Sequence, residues 1–497
     1  MNARPWLLAT LVFAAGCAAP VRAGSSPMHG VPAKVIVVLW FDTEDYLLTA
    51  DDDASLRLAT FLSGEGIRAT FKIVGEKARV LEKRGRTDVI EALKKHEIGF
   101  HSNFHSIHPT PAEYLSTLGW DEGVAEFERR EGPGLEDVRR IFGQNPSCYG
   151  QPGSSWGPQA YGAMRRWGMS AYLDSGSHVG YDRKPMYYGG LLTMYDLAHH
   201  PRTGLGARED VAKANEAFAS AHDRLVQEGG GIVSIWYHPC EFVHKKFWDS
   251  IFADGANPPR EAWTPPPQKT AEETRLAFEN FEAWIRYIKS FPDVAFVTAR
   301  EAATRVWADR ARSREFGTGE LREIAQAVGN DATCQIRGDL ALAPSEIFVL
   351  LNTLVLERAK GPVWLTETPF GTSTPVTPLA EPVRTDWSQF SRTATDVGAY
   401  LKTQGRIPPT VWLGSTPVPP ESYLGALARV AIDLIDGKVP QEIDVRPATY
   451  SIGSRVAEDS PRIWGWLFPK GFHAPALMTL ARQQAWTIKP AIFHGLD

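Results

Sequence analysis

Three short stretches carry side chains that could act together on a substrate. The first is Phe41-Asp42-Thr43-Glu44-Asp45. Three carboxylates this close repel one another, so something positive must hold them. The second is Gly99-Phe100-His101-Ser102-Asn103-Phe104-His105. Its two imidazoles are four residues apart, and one helical turn would put both on one face, within reach of a single ion. The third is Ile235-Trp236-Tyr237-His238-Pro239, an apolar run that ends in a histidine able to carry a proton. Two imidazoles and one carboxylate leave a tetrahedral ion with an open position, the catalytic rather than the structural arrangement. Such an ion lowers the pKa of a water to about 7. A neighbouring carboxylate can then take the water proton, and an imidazole can protonate a leaving amine. The chemistry this supports is metal-assisted hydrolysis, that of an amide included.

Each stretch ends an apolar segment of strand length, at 35–41, 97–100 and 231–237. Between such segments lie helical stretches, among them 54–63, 123–142, 210–228 and 270–290. Strands alternating with helices predict a parallel sheet with crossover helices. Roughly seven such repetitions predict a barrel, with catalytic groups at the C-terminal ends of its strands. The pattern holds over residues 34–312, and a smaller, mainly helical domain is expected over 332–497. Within that domain Ala343-Pro344-Ser345-Glu346 and Val418-Pro419-Pro420-Glu421 each open an apolar helical run. A proline and an acid at a helix start suit the fixed φ and the N-terminal dipole. The recurrence predicts an internal duplication, and the proline-rich stretch 369–382 between the copies reads as a loop.

Composition narrows the function. A length of 497 residues predicts two or three domains. With 43% hydrophobic and 22% charged residues, the chain is not a disordered one. A net charge of −5 leaves no basic excess for a nucleic-acid backbone, and no such partner is expected. The 16 tryptophans fit a sugar-binding cleft, because an indole face stacks on a pyranose ring. Residues 1–23 read as an export signal: Arg4 precedes an apolar run at 6–15 that is too short to span a bilayer. Two exits follow. Ala14-Ala15-Gly16-Cys17 resembles a bacterial lipoprotein box with Cys17 as the lipidated residue, and Val21-Arg22-Ala23 is a small-residue cleavage site. Either exit predicts export to the periplasm or the exterior, with a lipid anchor if Cys17 is used. Cys148, Cys240 and Cys334 make no disulfide framework. Cys148 and Cys240 lie beside chemistry-bearing segments, which leaves both a bridge and two isolated thiols open.

Two segments carry a family resemblance. One is Gly66-Ile67-Arg68-Ala69-Thr70-Phe71 with Val74-Gly75, and the other runs from His96 through His105. They resemble the second strand and the histidine motif of NodB-type polysaccharide deacetylases, carbohydrate esterase family 4. Asp42-Thr43-Glu44 is similar to that family's acidic first motif. The run ending in His238 is similar to its last, and Phe296-Val297-Thr298-Ala299-Arg300 to its closing strand. The resemblance covers residues 34–312 and implies a distorted (β/α)7 barrel. It also implies metal-dependent N-deacetylation of an amino sugar in an envelope or extracellular polysaccharide. Carried over by position, Glu44, His101 and His105 would hold a divalent metal, zinc first, with cobalt or nickel as substitutes. Asp42 would be the base and His238 the acid. Asp45 is the rival to Glu44 as ligand, and Asp174 would contact the base or its partner. The family's usual arginine, two residues before a proline, orients the base. Here Tyr149-Gly150-Gln151-Pro152 has Gly150 at that place, so Gln151, a distant arginine, or nothing would do that work. Trp156 follows as a candidate sugar-stacking residue.

Further on, residues 397–401, Gly405-Arg406-Ile407-Pro408 and Val411, with residues 420–427 after them, are weakly similar to pseudomurein-binding-type repeats, implying contact with a cell-wall polymer. Two other functions stay open. One is a glycan-binding envelope lipoprotein with weak turnover. The other is an amidohydrolase of a small non-sugar amide, its cleft closed by the inserts near 177–208 and 244–268.

Overall fold

The computed structural model describes residues 34–496, so the expected export signal and Cys17 lie outside the described residues. The first nine strands lie in the main sheet: β1 (Val35–Thr43), β2 (Thr70–Ile73), β3 (Glu97–Phe100), β4 (Cys148–Tyr149), β5 (Ala171–Leu173), β6 (Met186–Tyr188), β7 (Leu191–Met194), β8 (Gly231–Tyr237) and β9 (Val294–Val297). All nine residues of β1 are buried. A strand apolar on both faces must be covered on both, as the central strand of a parallel sheet is. Along one edge β1 pairs with β8 over residues 35–41. Its other edge is shared: β9 takes residues 35–38 and β2 takes residues 40–43. From β2 the sheet continues in parallel through β3, β4, β5 and β7, and β6 folds back antiparallel on β7. The split edge of β1 helps curl the sheet into an open, distorted (β/α) barrel, the expected architecture. Because its strands run parallel, the residues after β1, β3, β4, β5 and β8 emerge at one end.

The covering helices hold the curl. Thr49–Gly64 and Ala271–Lys289 pack aromatic and aliphatic side chains under β1 and β2. Phe41 and Phe71 stack at 4.7 Å, and Phe281 meets Phe41 edge-on. Thr270 and Glu273 close a capping box at the start of Ala271–Lys289, satisfying amides that the first turn leaves open.

The expected duplication is larger than the sequence pattern. In the first copy β10 (Arg314–Phe316) leads into the helix Thr318–Val328. A hairpin of β11 (Gln335–Arg337) and β12 (Leu340–Leu342) follows, then the helix Pro344–Leu356, then β13 (Val363–Leu365). The second copy repeats the order: β14 (Val383–Asp386), the helix Trp387–Gln404, β15 (Val411–Leu413) with β16 (Thr416–Val418), the helix Pro420–Ile435 and β17 (Glu442–Val445). In each copy the first strand pairs antiparallel with the last, and the hairpin pairs with itself. These strands are three or four residues long, too short for an alternating pattern to mark them.

The expected boundary of a C-terminal domain at 332–497 needs correction. The second core gathers residues from Ala311 to Val445, joined by Trp486. Beyond Val445 the chain returns to the barrel: Ile452, Val456, Trp464, Leu467, Leu477 and Ile488 belong to the barrel core. There β18 (Lys489–Pro490) pairs antiparallel with β6, as the sheet's outermost strand. The buried Lys489 ammonium lies 2.7 Å from Asp309 and 2.8 Å from Glu346, tying the two cores together. Short helices separated by glycine and proline give this segment no periodicity to read. Among the described residues no helix is long and apolar enough to cross a membrane.

A chain ended after residue 445 would expose the barrel surface that these side chains cover. It is expected to aggregate or to melt without cooperativity. A soluble truncated chain with the full-length thermal midpoint, measured by circular dichroism, would contradict this architecture.

Candidate active site

At the C-terminal end of the parallel strands lies a cavity of about 470 Å³. Asp42, Glu44, His101, His105, Asp174 and His238 all line it. Asp42 is the last residue but one of β1, and Glu44 follows the strand directly. His101 follows β3. The step from His101 to His105 is not the expected helical turn, because Ser102 and His105 have φ of 66° and 60°. Non-glycine residues in that region are strained and persist only where the surroundings hold them. Here the holding is dense. Gly75 and Glu76 amides donate to the carbonyls of Ser102 and Asn103, both at 2.9 Å. The Asn103 amide donates to Glu131 at 2.6 Å, and the His105 amide to Ser102 Oγ at 3.0 Å.

The two imidazoles converge on Glu44. Its Oε2 lies 3.1 Å from His101 Nε2 and 2.8 Å from His105 Nε2. One ligand atom from each residue falls within 4.8 Å of the others, and all three residues are buried. The outer nitrogens are already committed. His101 Nδ1 donates to the Gly150 carbonyl at 2.9 Å. His105 Nδ1 meets Ser106 Oγ at 2.7 Å, and that hydroxyl donates to Asp249. Trp248 Nε1 donates to Glu44 Oε1 at 2.9 Å. Partners on the far nitrogens aim the Nε2 lone pairs inward, as in histidine metal sites. A donor set of two imidazoles and a carboxylate fits zinc, cobalt or nickel. The electrostatics fit a cation as well. Burial disfavours charge on His105, yet Glu44 and Asp249 raise its pKa to about 10. Burial also works against ionisation of Glu44, but His105, His238 and His101 hold it well below the carboxylate range. Asp45 takes another direction: its Oδ1 accepts the Leu47 amide at 2.7 Å, and its Oδ2 is 3.5 Å from His244.

Asp42 is held by a residue outside all the sequence motifs. The Lys72 ammonium, fully buried on β2, lies 2.9 Å from Asp42 Oδ1 and 3.4 Å from Asp174 Oδ2. It donates to the Leu173 carbonyl at 2.7 Å and sits 4.2 Å from the Trp40 ring centroid. Burial opposes ionisation of Asp42, but His101 and Lys72 bring its pKa below the ordinary value. Burial raises Asp174 to about 6, against Lys72 and with Asp42. Gly150 supplies the room: a Cβ there would lie 2.0 Å from Lys72 Nζ. The counter-charge of Asp42 thus arrives from the neighbouring strand, and not from a distant arginine. Gln151 is not the orienter, since it accepts from Tyr172 at 2.5 Å and faces Tyr195 at 3.5 Å. A lone lysine between Phe71 and Ile73, in a strand buried on both faces, was the readable signal.

His238 follows β8 and turns its Nε2 to Asp42 Oδ2 at 3.6 Å. Its Nδ1 is 3.1 Å from Glu241, which Arg202 pairs in turn. Burial lowers His238 to about 4; Glu44 and Asp42 oppose that shift, and Arg202 adds to it. Trp156 is fully buried and stacks on His178 at 5.1 Å, so it offers no face to a ligand in the cavity. The chain turns inward there because Ser155 is anchored to Thr110 and to the Ala112 amide, both at 2.8 Å. Cys148 and Cys240 are free thiols, not a bridge. Arg202, Trp248 and Asp249 come from the two inserts and Glu241 from the turn after β8, segments that carry no motif of their own.

Fold and site together define a curled parallel (β/α) barrel with a buried two-histidine, one-carboxylate cluster at its strand ends. No protein-family model and no curated protein matches the chain. Solved structures resemble about half of it. A Mycobacterium smegmatis protein bearing the name polysaccharide deacetylase is 17% identical, with 56% of this chain and 91% of that one covered at a TM-score of 0.34. PuuE allantoinase is 14% identical, with 55% and 92% covered and a TM-score of 0.36. A family 4 carbohydrate esterase from Streptomyces lividans is 13% identical, with 54% and 93% covered and a TM-score of 0.28. Likeness at this level assigns no activity.

Two measurements test the electrostatics. Lys72→Met leaves Asp42 and Asp174 buried without their counter-charge, and should cost about 3–5 kcal/mol in denaturant unfolding. A loss below about 1 kcal/mol would show that the ammonium does not hold them. Glu131, fully buried, is raised by burial to about 7. Its folded pKa exceeds its unfolded value, so the folded state binds the extra proton and stability falls as pH rises from about 4.5 to about 7. Glu131→Gln should flatten that decline, and an unchanged pH profile would speak against it.

Proposed function

We propose that this chain is a metal-dependent hydrolase of non-peptide carbon–nitrogen bonds. It removes the N-acetyl group of amino sugars in an envelope or extracellular polysaccharide. One observation carries the reading: Glu44, His101 and His105 bring ligand atoms within 4.8 Å of one another in the floor of a cavity that Asp42 and His238 also line. Glu44 rather than Asp45 is the carboxylate ligand, because the Asp45 carboxyl caps Leu47 instead. A divalent ion held there, zinc in the first instance, supplies Lewis acidity toward a carbonyl and a water acidic enough to react near neutral pH.

The remaining work belongs to the chain. Asp42, fixed by Lys72, takes the proton of the attacking water. Its Oδ2 stands 3.6 Å from His238 Nε2, close enough for that proton to move on with a small shift of either side chain. Glu241 holds the ring by Nδ1, which keeps Nε2 facing the reacting amide. With its pKa lowered to about 4 by burial, the imidazole is neutral near pH 7, so the proton it passes to the departing amine is the one it takes from Asp42. Asp174 shares Lys72 with Asp42 and keeps the ammonium from turning away.

The same reading has the protein exported, on the strength of residues 1–23, with lipid attached if Cys17 is the exit used. The duplicated unit is its candidate contact with a cell-wall polymer.

Purified protein should bind about one equivalent of metal, and His101→Ala should lose it. Asp42→Asn and His238→Ala should keep the metal while acetate release from N-acetylated chitooligosaccharides or peptidoglycan falls roughly 10²–10⁴-fold. Full metal content in the His101 variant would end the metal assignment. Turnover confined to small non-sugar amides would end the glycan assignment.

A further inference from the structure

The aromatic rings around the cavity are not equally free to meet a ligand. Trp248 is buried and spends its Nε1 on Glu44. Trp236 has Trp40 stacked on it at 5.7 Å and the Arg202 guanidinium 3.9 Å from its ring centroid. Phe247 stands edge-to-face with His238 at 4.6 Å. Trp466 differs from all of these. It lines the same cavity with 41% of its surface exposed, and no ring or cation covers it among the described residues.

Its backbone is nevertheless fixed. Trp464, Leu467 and Phe468 on either side are buried in the barrel core. The Asp254 amide donates to the Trp466 carbonyl at 2.9 Å, and the Gly255 amide to the Leu467 carbonyl at 3.1 Å. On the other side the indole edge and Leu467 lie against Gly153. Gly153, Ser154, Ser250 and Ala253 also line the cavity, so this segment joins two parts of its rim. An indole left half in water on a rigid backbone forgoes burial that its neighbours obtain. It also keeps a flat apolar face ready at no cost in ordering.

We propose that Trp466 is the sugar-stacking platform of this site, and that residues 464–468 form a wall of the substrate cleft. The ligand class is a pyranose glycan. One ring lies on the indole at the rim while an acetamido group reaches the carboxylate–histidine floor. The cavity, about 470 Å³, is within the range of roughly 300–1,000 Å³ that encloses ligands larger than a single small group. The inference rests on the deacetylase reading for the acetamide, but not for the stacking.

Calorimetric titration of the metal-loaded full chain with N-acetylated chitotetraose and with the monosaccharide separates the two. Trp466→Ala should weaken tetrasaccharide binding about tenfold, and Trp466→Phe by less than about threefold, as expected for a stacked ring. Metal content and thermal midpoint should stay at wild-type values. Asp42→Asn should bind like the wild type while its acetate release falls roughly 10²–10⁴-fold. Tetrasaccharide binding by Trp466→Ala equal to wild type, or no tetrasaccharide binding by the wild type, overturns the platform. Binding that depends on Trp466 in a protein without acetate release would leave the platform standing and remove the deacetylase reading. Acetate release with no dependence on Trp466 would do the reverse.

Discussion

The structure is organised around a problem of like charge. A parallel sheet brings its strand ends together, and here those ends and the adjoining loops carry Asp42, Glu44, Asp174 and Asp249 into one buried floor. Unpaired carboxylates in such a place would be neutralised or expelled. Each has a positive or proton-donating partner supplied from another strand or loop. Lys72 stands between Asp42 and Asp174. His101 and His105 face Glu44, and the His105–Ser106 pair faces Asp249. A second set sits below, where Lys77 lies within 2.6 Å of both Asp51 and Asp52 and donates to the Asp45 carbonyl. That lower set anchors the loop after β1 and so keeps Glu44 directed at the histidines.

This arrangement explains otherwise unrelated features. Gly150 has no side chain because the Lys72 ammonium occupies the space where one would begin. The strained loop at 102–105 is tolerated because the start of one helix and Glu131 of another hold its amides and carbonyls. The split edge of β1 lets its upper half meet β2, which carries Lys72, while β9 closes the lower half. Charge pairing and sheet topology are therefore one constraint, since moving either strand would separate Asp42 from its counter-ion.

The chain after the barrel does two jobs. Residues from Ala311 to Val445 form a duplicated unit around their own core. Residues beyond it come back to complete the barrel, adding β18 to the sheet edge and Trp466 to the cavity. The buried Lys489, paired with Asp309 and Glu346, links these parts through groups that would be costly to separate. The duplicated unit is thus framed on both sides by segments of the barrel.

Sequence alone determined the barrel class, the duplication and the chemical types at the site. Long apolar strands, amphipathic helices and histidines or acids at strand ends are local patterns, and local patterns survive in a linear chain. Asp42, Glu44, His101, His105, Asp174 and His238, which line one cavity, were legible as candidates for that reason. Tertiary structure alone decided that Glu44 and not Asp45 faces the histidines, that Trp156 is core, and that Lys72, rather than Gln151 or a distant arginine, holds Asp42. It also decided that Trp248, Asp249 and Glu241 support the inner residues, and that residues after 445 belong to the barrel. Each of those outcomes depends on which way a side chain points and on what lies across a gap of many residues. Spacing along the chain carries no record of contacts made between distant strands and loops.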